Sequence, residues 1–160
     1  MDQGGQADVS SLDFRNALAL WATGVAVVSV RDEVGLSATT VSSFNSLTLD
    51  PPLVLVALAD RAKALPRILS LGTYTISVLT SGQREISERC SQTQARDEDF
   101  DAEGRVKDAL VTLRCTVHDT HRHGGHLLLV GRVQDVRHHQ GPAEPLLYWN
   151  RGYRGLIPLP

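Results

Sequence analysis

The chain has 160 residues, 42% of them hydrophobic, with 16 basic and 18 acidic side chains and a formal net charge of −2. That is one domain's worth of sequence with enough apolar content to bury a core, and its near-neutral balance offers no field for nucleic acid or an anionic membrane. No apolar run reaches membrane-span length, the polar stretch Met1 to Ser10 does not read as a signal peptide, and Cys90 and Cys115 fall outside any CxxC spacing. The expectation is a cytoplasmic protein with reduced thiols, a disordered tail over 1–10 and a single domain over 11–160.

In chain order, Ser10 or Ser11 is placed to cap a helix with Asp13 in its first turn. Leu12, Ala17, Leu18 and Trp21 recur at near-helical spacing, predicting an amphipathic helix packed on a sheet and stopped by Gly24. Val25–Val30 is short and β-branched. The polar turn Arg31-Asp32-Glu33, with Gly35, makes it half of a hairpin.

Gly35 to Leu58 is the most informative stretch. Its first half carries seven small side chains, Ser37, Ala38, Thr39, Thr40, Ser42, Ser43 and Ser46, six of them hydroxyls. Such residues bury little apolar area, but they let a flat ligand approach the backbone and bond its carbonyls and phosphate. The double proline Pro51-Pro52 forces the chain out of its ladder, and Leu53–Leu58 then reads as a strand buried on both faces. Beyond it, Pro66 suits the first turn of a helix, whose free N–H groups could receive a phosphate beside the cations Arg61 and Lys63.

Thr73–Leu79 alternates as a strand, and Ser81–Cys90 reads as a short polar helix. Gln92–Asp108 is charged, with Phe100 as its one large apolar anchor, and is expected to be an exposed loop whose acidity serves solvation. Leu110–His118 and Leu127–Val136 read as strands joined by a turn at Arg122-His123-Gly124-Gly125. Pro145–Trp149 reads as a last strand and Arg151–Pro160 as a tail. Six or seven short antiparallel strands with two or three short helices predict a mainly β fold, a Greek-key or split barrel with helical cover.

The absences narrow the chemistry. There is no GxGxxG, GxxxxGK[ST] or GxSxG, so neither a Rossmann site, a P-loop nor a serine-hydrolase elbow is indicated. His118, His121, His123 and His126 cluster, with His138-His139 on the next strand, but neighbouring strand residues point to opposite faces and no metal site is expected.

Four segments resemble a known family: TGVAVVSV from Thr23, SSFNSLTLDPPLVLVAL from Ser42, GGHLLLVGRV from Gly124 and PLLYWNRGY from Pro145. In this order they resemble the short-chain flavin reductases with an FMN-binding split barrel, the small partners of two-component flavin monooxygenases. The resemblance implies an NAD(P)H:flavin oxidoreductase that reduces FMN or FAD with NADH or NADPH and releases it to a separate monooxygenase. It also implies a homodimer with the flavin near the subunit interface.

The implied cofactor-binding set is Thr39, Thr40, Val41, Ser42, Ser43, Ser46, Leu58, Ala59, Arg61, Lys63 and Tyr153. His126 matches the family's Gly-x-His, where it would orient the nicotinamide carboxamide. The chain departs from the family pattern in having Ala64 where a hydroxyl usually meets the phosphate, Gly125 where Asp is frequent, and a shorter loop after Gln92. Two other readings keep the barrel: an enzyme using bound flavin on an organic substrate, or a non-enzymatic flavin- or haem-binding module.

Overall fold

The computed structural model describes residues 8–157. Residues 1–7 of the expected tail therefore lie outside the described residues. Helix α1 spans Ser11–Ala19 and is capped by Ser10, whose side chain accepts from the Asp13 N–H. Strands β1 (Thr23–Gly24), β2 (Ala26–Asp32), β3 (Gly35–Val41), β4 (Asn45–Thr48) and β5 (Leu53–Ala59) follow, then α2 (Ala64–Leu71) and β6 (Thr73–Val78). After a 3₁₀ turn come α3 (Arg84–Ser91), a second 3₁₀ turn, β7 (Val111–His123), β8 (His126–His138), β9 (Leu147–Trp149) and β10 (Gly152–Arg154).

Seven strands form one antiparallel sheet in the order β3-β2-β6-β7-β8-β5-β4, and β1-β9-β10 form a small second one. The large sheet curls until β3 and β5 face each other without a ladder between them. One side chain bridges that gap. Ser43 Oγ donates to the Ala57 carbonyl at 2.8 Å and accepts from the Ala57 N–H at 3.1 Å.

The core has two compartments with β2 between them. Ala26, Val28 and Val30 face the barrel interior with Val54, Val56, Leu58, Ile68, Tyr74, Ile76 and Leu129. Val25 and Val27 face Ala38, Leu79, Cys90, Phe100, Val106 and Leu146 on the other side. This is why Val25–Val30 shows no polar alternation, since both faces of the strand are dry. The same pattern misleads at β5, where Val54, Val56 and Leu58 are buried but Leu53, Leu55 and Ala57 are only half-buried. Both cysteines are free and buried, and burial pushes each thiol up to about 12.

Four further expectations are corrected. Helix α1 does not pack on the sheet: none of its residues is buried, and it is held at its end by polar bonds, Trp149 Nε1 to the Leu20 carbonyl at 3.2 Å and the Asn150 N–H to the Ala19 carbonyl at 2.8 Å. The loop after Gln92 is not simply solvated. Phe100, Arg105 and Val106 are buried, and its acids pair with arginines, Asp97 with Arg31 and Asp99 with Arg89, both at 2.7 Å. Arg105, 3% exposed, meets Glu103, and Asp135 at 3.0 Å.

The strands β7 and β8 run on to a two-residue turn at Gly124-Gly125, with φ of 54° and 80°. Two consecutive left-handed residues make the type I′ geometry that suits a twisted hairpin, which accounts for the glycine at 125 where the family resemblance suggests an acid. Part of the expected tail is a strand: β10 returns on β9, with Tyr153 opposite Tyr148.

Candidate functional site

The gap between β3 and β5 opens into a cleft of about 500 Å³, within the range of ligand-sized pockets. Thr39, Thr40, Val41, Ser42 and Ser43 line it from β3 and the turn after it. Ala57, Leu58 and Ala59 line it from β5, and Arg61 and Ala62 from the connection to α2. His126 at the start of β8 and Ser91 and Thr93 at the end of α3 complete the lining. The hydroxyl-rich segment and the apolar strand after the prolines thus meet across the split, separated in sequence only by the excursion through β4.

The walls are tied in place by named bonds. Ala59 stands opposite His126 in the β5–β8 ladder, so Arg61 and the histidine are brought to one mouth of the cleft. The Asp60 N–H donates to the Gly125 carbonyl at 2.9 Å, and the Asp60 carboxylate pairs with Arg122. On the other side Thr40 Oγ1 donates to the Ser87 carbonyl at 2.6 Å, fixing β3 against α3. Ser87 Oγ lies 2.9 Å from the Tyr153 hydroxyl, whose ring meets that of Tyr148 edge-on with centroids 5.4 Å apart.

Two of the hydroxyls on the cleft wall are therefore already occupied. Thr40 and Ser43 hold the frame, whereas Ser42 is exposed to the cleft. Leu58 is 1% exposed with its side chain in the core, so at that position the cleft meets backbone.

Three residues expected at the site lie elsewhere. Ser46 is exposed on β4, which forms the sheet edge, outside the cleft lining. Lys63 is the exposed N-cap residue of α2 and makes no side-chain cap bond. Tyr153 lines a neighbouring hollow of about 240 Å³, which shares Thr40, Val41, Ser42 and Ser91 with the main cleft. A third hollow of about 520 Å³, with Trp21, Tyr148 and Arg151, also reaches Ser42. Ala64 is buried in the core at the start of α2 and lies outside the cleft lining. Among the described residues no three His, Cys, Asp or Glu side chains converge as a metal site; the histidines are spread along an exposed hairpin.

Ser91, Thr93, Ala57 and Ala62 line the cleft and are not singled out by the sequence pattern. Nothing in their local sequence marks them, because tertiary packing alone brings α3 to the split.

The donor set fits a flavin. Small side chains leave a flat ring room to lie against β3, Arg61 offers a cation, and the lining contains hydroxyl, backbone and imidazole groups for a polar edge. Residues 18–156 match the flavin reductase like domain. The chain belongs to the flavin reductase family.

It is 43% identical over 148 residues to the reductase component of 4-hydroxyphenylacetate 3-monooxygenase from Thermus thermophilus, covering 90% of this chain and 95% of that protein. It is 35% identical over 157 residues to an NADH-dependent flavin reductase from a Rhodococcus species, covering 93% and 88%. The flavin reductase PheA2 in its native state superposes with a TM-score of 0.85 at 28% identity, over 94% of this chain and all of that one. The fold is therefore the flavin reductase split barrel, and the protein is an oxidoreductase. None of its described helices is long and apolar enough to cross a membrane.

Proposed function

We propose that this flavin reductase oxidises NADH, reduces FMN or FAD in the β3–β5 cleft, and releases the reduced flavin to a separate flavin-dependent monooxygenase. The observation that carries the reading is the meeting, in one cleft, of the small-residue wall Thr39–Ser43 with Arg61 and His126, in a chain whose relatives include a monooxygenase reductase component and an NADH-dependent flavin reductase. The chemistry is hydride transfer from the nicotinamide to flavin N5, which places the enzyme among the NAD(P)H:flavin oxidoreductases. The protein's part is to stack, orient and exclude, and to stabilise the charge that develops on the reduced flavin. Arg61 is the cation available for the flavin, and His126 bonds the nicotinamide carboxamide without needing to transfer a proton.

The cleft is open to solvent, which suits a flavin that enters and leaves at each turnover. The apolar surface that a single chain leaves uncovered supports a homodimer. Leu12, Phe14, Leu18 and Trp21 on and just beyond α1, with Leu47 and Leu49 at the sheet edge, are about half to nine-tenths exposed. The two buried thiols fit a reducing cytoplasm.

Anaerobic stopped-flow with NADH and free FMN or FAD tests the function. Rapid bleaching of the visible flavin band is expected, and bound flavin that never bleaches would overturn it. Within that assay, His126→Ala is expected to raise the KM for NADH about 3–10-fold, one lost hydrogen bond, while the flavin KM moves less. An unchanged NADH KM would reduce His126 to a residue that merely opens β8.

A further inference from the structure

Helix α3 ends at Ser91, and the chain leaves it through a Schellman arrangement. The Thr93 N–H reaches the Cys90 carbonyl at 3.4 Å and the Gln94 N–H reaches the Arg89 carbonyl at 2.9 Å. The residue just past the cap in such a motif takes the left-handed conformation, and glycine normally occupies it because it has no Cβ to clash. Here that residue is Thr93, with φ of 57°. A β-branched side chain is among the worst choices for this conformation.

No packing need explains the choice. Thr93 is exposed, so its side chain fills no core. It does lie in the lining of the cleft, with Ser91, Arg61 and His126. Thr40 and Ser43 spend their hydroxyls on the frame, and Ser91 Oγ donates to the Glu88 carbonyl at 2.7 Å, so among the described lining residues Thr93 carries the free hydroxyl on the α3 side of the cleft, opposite Thr39 and Ser42. We infer that Thr93 is a flavin-binding residue, kept against the preference of its own backbone because its hydroxyl bonds the polar part of the flavin. The assignment rests on the cleft being the flavin site.

The trade-off has a signature that a merely structural residue would not show. Thr93→Gly relieves the strained turn and removes the hydroxyl. Its Tm is expected to rise by about 2–4 °C, while its flavin Kd, read by quenching of FMN and FAD fluorescence, weakens about 3–10-fold. Thr93→Ser keeps the hydroxyl and is expected to bind flavin as wild type does. Thr93→Val keeps the branched shape without the hydroxyl, and is expected to weaken flavin binding with no gain in Tm. Wild-type flavin affinity in both the Gly and the Val variants would overturn the assignment, as would a Thr93→Gly protein that is less stable. If wild type binds flavin, loses it on Thr93→Val, and yet reduces none with NADH, the assignment stands and the reductase reading falls.

Discussion

Gly131→Ala will destabilise the barrel by about 3 kcal/mol or more, the upper end of what overpacking a core costs. Gly131 lies on β8 opposite Val54 and Val117, buried where the strand passes over Tyr74. A Cβ there would fall on the Tyr74 hydroxyl, 2.8 Å from the ring carbon that carries it and 3.2 Å from the Cys115 Cβ. Tyr74 has no room to retreat. It is 2% exposed, its hydroxyl has no hydrogen-bond partner among the described residues, and burial drives its ionisation far above the usual range. For a chain of this size the loss amounts to a fall in Tm of about 6–12 °C. Adding Tyr74→Phe removes the first clash but leaves the ring, so partial recovery is expected. A Gly131→Ala protein melting with wild type would mean that β8 and Tyr74 do not approach as described.

Ser42→Trp will abolish flavin binding, with a Kd raised at least about 100-fold, roughly 2.7 kcal/mol, while the fold survives. Ser42 borders the cleft and both neighbouring hollows, and it is exposed, so an indole can be placed there without entering the core. Ser43 is a poorer probe of the same wall. Its hydroxyl bonds both the N–H and the carbonyl of Ala57, and any large replacement would open the split as well as fill it. Fluorescence titration with FMN and FAD, alongside circular dichroism and a melting curve, separates the two effects. Wild-type affinity in a folded Ser42→Trp protein would move the flavin site away from β3.

Much of the arrangement is legible in the chain because it is local. The hairpin of β2 and β3, the turn at the prolines, the alternation of β6 and the Ser10 cap all follow from propensity and spacing over a few residues. The small-residue segment and the apolar strand after it are legible in the same way, although it is closure of the sheet that brings Thr39–Ser43 and Ala57–Ala59 to one cleft.

Periodicity could not say which apolar runs are buried on both faces. Val25–Val30 and Leu53–Leu58 look alike in sequence. Only the first has a layer on either side, supplied by α3 and the loop through Phe100 and Val106. The acids of that loop resemble a solvated run until Arg31 of β2 and Arg89 of α3 pair with Asp97 and Asp99, and the loop's own buried Arg105 meets Glu103.

The same division holds at the site. Composition and periodicity determined a small, mainly β domain with a hydroxyl-rich segment before an apolar strand, and the family resemblance named Arg61 and His126 as candidates for flavin chemistry. Tertiary structure alone decided how the hydroxyls are spent. Closure of the sheet across β3 and β5 consumes Ser43, the packing of β3 on α3 consumes Thr40, Ser42 is left to the cleft, and Ser46 stands out on an edge. The end of α3 then delivers Ser91 and Thr93 to a cleft some fifty residues removed in sequence from its hydroxyl wall, because packing joins surfaces that no local pattern relates.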